Sequence, residues 1–184
     1  MRTNLFNMQI LKIILLVIVV IIAIPLIIAL FVSNDYKITR SIIINKPQQE
    51  VFDYIKLIKN QEQYSKWVMT DPNMKKTFTG PDGTVGFIYA WDSKNKQAGK
   101  GEQEIKKIND GEGIDIEVRF EKPFKGIANT PIHTEAISAN ETKVIWGMNG
   151  TNKYPMNLMT LLMSSALGKD LDESLNLLKK NLEK

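Results

Sequence analysis

Between Ile13 and Val32 the chain runs for 20 residues without a charged or strongly polar side chain. At ~1.5 Å of rise per helical residue such a run reaches ~30 Å, the hydrocarbon thickness of a bilayer. This predicts one membrane-spanning helix, because a buried helix of a soluble domain is usually shorter and interrupted by polar positions. Pro25 is compatible with a spanning helix. Arg2 and Lys12 form a basic flank like that of a secretory signal, but the run exceeds the roughly 7–15 residues of a signal core. Ala29-Leu30-Phe31-Val32-Ser33 also offers no small-x-small cleavage site. The expectation is an uncleaved signal-anchor: a short basic segment at 1–12, the anchor at 13–32 and one folded domain at 33–184. The positive-inside rule then holds the amino terminus in the cytoplasm and places the domain beyond the cytoplasmic (inner) membrane, a reading that Lys37 and Arg40 oppose.

Composition removes several kinds of function. Outside Arg2 and Lys12, 22 basic residues meet 20 acidic ones, which lacks the clustered excess of cations that displaces counterions from nucleic acid; no nucleic-acid partner is expected. The absence of cysteine excludes thiol catalysis, disulfides, iron-sulfur clusters, cysteine-type zinc sites and a lipoprotein anchor. A single histidine, His133, excludes a histidine-rich metal site.

Residues 33–184 suffice for one core. Tyr36 to Asn45 is rich in β-branched residues and reads as a strand ending at Lys46-Pro47. Pro47 suits the first turn of a helix in which Val51, Phe52 and Ile55 share an apolar face. A second short helical piece is expected over Gln61 to Lys66. After Asp71-Pro72 come strands separated by turns, the clearest being Gly80-Pro81-Asp82-Gly83 and Asn109-Asp110-Gly111. Four stretches alternate: Val85, Phe87, Tyr89 and Trp91; Ile114, Ile116, Val118 and Phe120; Ala128, Thr130, Ile132 and Thr134; and Val144, Trp146 and Met148. Each places its bulky residues on one face, with Asp115, Glu117, Arg119 and Glu121 opposite in the second. From about Pro155 the period changes to 3.6, with Met156, Met159, Met163, Leu167, Leu171, Leu175, Leu178 and Leu182 in one stripe. Gly168 is a candidate bend in this helix. A strand, two short helices, five or six antiparallel strands and a long last helix pack economically as an α+β fold, the curved sheet wrapped around the final helix.

The chain also resembles the SRPBCC or START-like superfamily, in particular its single-helix-anchored bacterial members of the polyketide cyclase/dehydrase and lipid transport type. The resemblance is carried by Arg40-Ser41-Ile42-Ile43-Ile44-Asn45-Lys46-Pro47 followed by Glu50-Val51-Phe52-Asp53-Tyr54, and by Trp67, Asp71-Pro72-Asn73-Met74 and Tyr89-Ala90-Trp91. Further along it rests on Lys122-Pro123-Phe124-Lys125-Gly126, Thr142-Lys143-Val144-Ile145-Trp146 and Gly168-Lys169-Asp170. Where such members often have a tryptophan pair before the Asp-Pro motif, this chain has Tyr64 and Trp67. The resemblance implies a helix-grip fold with a hydrophobic cavity between sheet and last helix, and a lipid or apolar small molecule as partner. It transfers no catalytic residue set and no cofactor.

The residues then suggest what would surround such a cavity. Inward-facing Phe87, Tyr89, Trp91, Ile116, Val118, Phe120, Ile132, Trp146 and Met148, with Trp67, would meet Met159, Leu162 and Met163 of the helix, methionine being the residue best suited to an irregular wall. Gln103 and Thr130, also inward, could orient a ligand headgroup. No catalytic or metal-ligating residue is expected. His133 falls on the outward face of its strand, and no serine lies in a Gly-x-Ser-x-Gly elbow. The glycine pairs Gly99-Lys100-Gly101 and Gly111-Glu112-Gly113 lead into strands and not into the helix start a phosphate loop needs. Glu102/Glu104 and Glu117/Glu121 share faces with Lys100, Lys106 and Arg119, as in a solvated charge-paired surface. A cyclase, dehydratase or hydrolase, which would need ionisable groups inside, is one alternative. An interaction protein resembling the superfamily's heat-shock ATPase activators, with a nearly solid interior, is another.

Overall fold

The computed structural model describes residues 2–184, and the side chains of all of these except 2–7 and 162. Helix α1 spans Arg2–Ala29, and its Met8–Ala29 portion, 22 residues, is long and apolar enough to cross a membrane. Leu15, Leu16, Val17 and Ile18, one full turn of it, are all exposed, so among the described residues nothing covers this apolar surface. The helix stops three residues short of Val32, the chain leaving it through i to i−3 bonds from Leu30 N to Ile27 O and from Phe31 N to Ile28 O, and Asn157, from the far end of the domain, joins it there. The Asn157 Nδ2 donates to Ala29 O at 2.7 Å and to Val32 O at 2.9 Å, satisfying acceptors that a helix end leaves open.

The domain has the order β1 (Asp35–Ile44), α2 (Gln48–Ile55), a 3-10 turn (Ile58–Gln63), α3 (Lys66–Met69) and β2 (Lys75–Thr79). It continues with β3 (Ile88–Asp92), β4 (Lys100–Asn109), β5 (Gly113–Lys122), β6 (Gly126–Asn129), β7 (Ile132–Ser138), β8 (Glu141–Thr151) and α4 (Leu158–Leu182). This is the expected α+β architecture: an antiparallel sheet of eight strands, in the order β1-β8-β6-β5-β4-β3-β2 with β7 also between β5 and β8, curved around a long last helix. The strands β6 and β7 keep one register against β8, Asn129 opposite Asn149 and Ile132 opposite Trp146. They are a single strand broken at Pro131, which lacks the N–H a ladder needs. The ladder survives through its neighbours, since Thr130 N donates to Ile116 O at 2.8 Å and Gly147 N to Pro131 O at 2.9 Å. The alternation of Ala128, Thr130, Ile132 and Thr134 into the core therefore holds across the break.

Two details differ from the periodicity. Val85 does not begin a strand; it is 62% exposed in the turn before β3, while Phe87 is fully buried and, from outside β3, accepts from Ile105 N at 3.1 Å as Gly86 N donates to Ile105 O at 2.8 Å. Gly168 does not end or interrupt α4, which continues through it. The Arg40 guanidinium lies where a Cβ at 168 would be, with Nη2 at 2.3 Å, so a side chain there would displace that group, whose Nε donates to Asp172 at 3.1 Å.

The core gathers at one end of α4. Val51, Phe52 and Ile55 of α2, Ile44, Ile105, Ile114, Ile116 and Ile132 of the sheet, and Leu171, Leu175 and Leu178 of α4 are essentially inaccessible. Each such side chain contributes ~1.5–3 kcal/mol by leaving water. Asp82, in the turn expected at Gly80-Pro81-Asp82-Gly83, fastens the 3-10 turn by accepting from Ile58 N at 2.9 Å and Lys59 N at 3.1 Å. On the outer face, Arg119 gathers the carboxylates of Glu102, Glu104 and Glu117, and Glu121 pairs with Lys100 at 2.6 Å. Arg119 and Lys106 hold the Glu104 carboxyl below the ordinary carboxylate range. A depressed folded-state value gives stability that is fully present above the unfolded value and lost as pH falls through the folded one. Arg119→Met is therefore expected to cost about 1 kcal/mol near neutral pH. The difference from the unsubstituted chain should shrink in denaturant titrations carried from neutrality to well below pH 4.5, the ordinary glutamate value.

Candidate functional site

The stripe on α4 changes character along its length. From Leu171 onward it is core, whereas Met156 and Met163 at the other end are more than two-fifths exposed. Between this looser half and the concave sheet lies a cavity of about 500 Å³. Its walls include Trp67, Trp91, Gln103, Val118, Phe120, Thr130, Trp146, Met148, Met159 and Met163 of the residues named from sequence. Phe87, Tyr89, Ile116 and Ile132 point the same way from the sheet but do not reach it. They lie fully buried in the packed cluster, where the space is filled by α2, by the second half of α4 and by the 3-10 turn, whose Glu62 accepts from the Tyr89 hydroxyl at 3.3 Å. The side chain of Leu162 lies outside the described residues.

Trp146 stands at the boundary between core and cavity. Its ring meets Tyr64 edge-on at 5.7 Å and Trp67 at 6.0 Å and 89°, an arrangement favoured by aromatic quadrupoles. Trp67 is held in turn by Asp170, whose Oδ2 accepts from the indole N–H at 3.1 Å, and Ser174 accepts from Lys66 N at 2.9 Å. Those bonds tie α3 to α4 and explain the Asp170 of the Gly-Lys-Asp sequence. Across the cavity, Trp91 donates to Ala98 O at 2.9 Å and packs edge-on to Phe120. Tyr64 is fully buried, its hydroxyl has no partner among the described residues, and burial raises its pKa so that it stays neutral.

Four polar side chains interrupt the apolar wall: Gln61, Ser65, Gln103 and Thr130, each no more than 6% exposed. Gln103 Nε2 donates to Gln61 Oε1 at 3.1 Å. This group of two amides and two hydroxyls puts both donors and acceptors on the wall of the cavity. It carries no charge. The ionisable side chains of the lining are Tyr36, Lys96, Lys122 and Lys125, and burial raises the Tyr36 pKa. His133 lies outside, 3.2 Å from Asp115. Among the described residues no cluster of histidine, cysteine or carboxylate side chains could hold a metal ion.

Sequence reasoning missed the mouth. It is formed by Lys122 to Gly126 between β5 and β6, by Lys96, Gln97 and Ala98 between β3 and β4, and by Asn152, Met156 and Thr160 at the approach to α4. Loops have no hydrophobic period to betray them. The Lys-Pro-Phe-Lys-Gly sequence was visible as a motif, but nothing in it says that Phe124 would lie open at a rim.

No protein-family model matches the chain, and no curated protein matches it in sequence. Its fold does have solved counterparts. Norcoclaurine synthase from Thalictrum flavum, in complex with dopamine and hydroxybenzaldehyde, superposes with a TM-score of 0.61 at 10% identity over 85% of this chain and 91% of that one. The protein Ara h 8.0201 gives 0.53 at 11% identity over 80% and 97%. DynU16, a putative protein of the dynemicin biosynthetic locus, gives 0.57 at 11% identity over 80% of this chain and 47% of its own length. At such identities the likeness is one of architecture: the chain has a Bet v1-like, SRPBCC-type fold, with an apolar helix before it.

Proposed function

We propose that this protein is a membrane-tethered binding module that holds one apolar small molecule, or the apolar part of a lipid, between its sheet and α4. The observation that carries this is the cavity itself: about 500 Å³, within the roughly 300–1,000 Å³ of ligand sites, with aromatic and methionine walls. Its uncharged group of Gln61, Ser65, Gln103 and Thr130 suits a hydroxyl, amide or ester carbonyl at the inner end of the ligand. Helix α1 supplies the tether, and Arg2 and Lys12 assign its amino-terminal side to the cytoplasm. The volume speaks against an interaction protein with a filled interior. No aspartate, glutamate or histidine lines the cavity among the described residues, so any proton transfer there would fall to Tyr36, Lys96, Lys122 or Lys125.

Filling the cavity tests the proposal. Val118→Trp and, at the mouth, Met163→Trp add bulk to the wall without adding charge. The full chain in a mild detergent is expected to bind an environment-sensitive apolar dye with one-to-one stoichiometry, and each variant to lose at least about tenfold in affinity while keeping its circular dichroism. Equal dye binding by the folded variants, or no saturable binding by the unsubstituted chain, would sink the reading.

A further inference from the structure

The register of the sheet sends one set of loops to the end where α1 enters. Asp35, the first residue of β1, lies opposite Thr151 at the end of β8, and Asn152 N donates to Asn34 O at 2.8 Å. Ala128 of β6 lies opposite Gly150, which brings the β5–β6 hairpin to the same edge, and Lys100 opposite Lys122 brings the β3–β4 loop beside it. With the two bonds from Asn157 to the end of α1, the domain is not suspended on a free linker. The mouth of the cavity is at this end.

Two features of these loops are unusual for a surface bathed only by water. Phe124 and Ile127 are 67% and 57% exposed, and Tyr154 and Met156 are nearly half exposed. They form an apolar rim that nothing in the domain covers. Around it, the segments Ser93–Gly99, Lys122–Lys125 and Asn152–Asn157 contain Lys94, Lys96, Lys122, Lys125 and Lys153 and no acidic residue. All five lysines are exposed, and among the described residues none pairs with a carboxylate. Of the carboxylates nearby, Glu121 is paired with Lys100 and also feels Lys122 and Lys125, Asp35 and Asp71 accept from the hydroxyls of Thr151 and Ser93, and Asp92 lies at the end of β3, so the five lysines outnumber the three carboxylates that no lysine pairs with. An apolar centre ringed by cations, placed where a spanning helix ends, is the pattern of a surface that rests on anionic lipid headgroups.

We propose that this loop end docks on the bilayer that α1 enters, with Phe124, Ile127 and Met156 at the headgroup boundary, anionic lipids meeting the five lysines, and the cavity opening directly onto the lipid. This rests on the reading of α1 as a spanning helix. An apolar ligand would then pass between bilayer and cavity without crossing water.

The test uses the full chain, whose lack of cysteine allows single thiol labels. Phe124→Cys, Ile137→Cys at the distal end of β7 and Ile21→Cys within α1 are labelled with a fluorophore. Each is reconstituted in vesicles of phosphatidylcholine, with or without phosphatidylglycerol, containing lipids that carry nitroxide quenchers. The label at 124 is expected to be quenched strongly in the phosphatidylglycerol vesicles and the label at 137 hardly at all. Removing lysines in pairs, first Lys122→Gln with Lys125→Gln, should lower the docked-to-undocked ratio by about fivefold per lysine, and only in the anionic vesicles. If 124 is quenched no more than 137 while 21 is quenched, the docking is wrong and the spanning helix stands. If 21 is not quenched either, the membrane reading fails with it.

Discussion

Trp146→Ala is expected to lower the free energy of unfolding by about 3–5 kcal/mol, a large part of the ~5–15 kcal/mol that holds a domain of this kind together. Trp146 is 2% exposed and is the ring on which Tyr64 and Trp67 both rest, so its loss opens the core into the cavity instead of leaving a sealed void. Its indole N–H is buried without a partner, which means that the loss is one of packing and not of a hydrogen bond. Trp146→Phe separates the two contributions. It removes the unpartnered donor and retains most of the ring, so it should cost much less than the alanine variant. Chemical denaturation of the full chain in mild detergent, followed by near-ultraviolet circular dichroism, would measure both. A phenylalanine variant as unstable as the alanine one would show that the indole N–H has a partner after all.

Gly101→Val is the second large effect, and it acts on the backbone. Gly101 lies in β4 beside a register shift against β5. A Cβ there would sit 2.5 Å from Arg119 O and 2.9 Å from Cζ2 of Trp91. The carbonyl belongs to the neighbouring strand and cannot rotate away, and the indole is held by its bond to Ala98. The expected cost is about 3 kcal/mol or more, at the upper end of overpacking. Dye affinity should fall as well, because Trp91 is pushed into the cavity. Gly126→Val is the control: a Cβ at 126 meets nothing within 4 Å, and its free energy of unfolding should be within about 0.5 kcal/mol of the parent. Comparable losses in the two variants would refute the argument from the close approach at 101.

The parts of this molecule that could be read from residues alone are those where burial repeats with a period. The leucines of α4, the Val51-Phe52-Ile55 face of α2 and the inward residues of β5 and β8 all follow from periodicity, because a side chain on the wrong face would be left in water. The break at Pro131 also did no harm, since a strand without one N–H still alternates. Illegible were the effects that depend on what stands opposite. That the small size of Gly168 accommodates Arg40, 128 residues away in sequence, is one of these. Phe87, Tyr89, Ile116 and Ile132 were named with the cavity residues because alternation gives a side chain's face and not its position along the face. Only the placement of α2, the 3-10 turn and the second half of α4 separates filled space from empty. Arg119 drawing together Glu102, Glu104 and Glu117 was foreseeable as pairing but not as a single hub.

The two halves of α4 do unequal work, and this bears on how such a chain can change over generations. The half from Leu171 onward is invested in the core, where nearly every substitution is paid for in folding. The half from Leu158 to Leu167 presents methionines and small polar residues to a space the fold does not need filled. On the proposed function, substitutions in that half can reshape what the cavity admits while leaving the rest intact. A scaffold divided in this way can acquire new ligands quickly and still retain its architecture after the sequence has drifted beyond recognition.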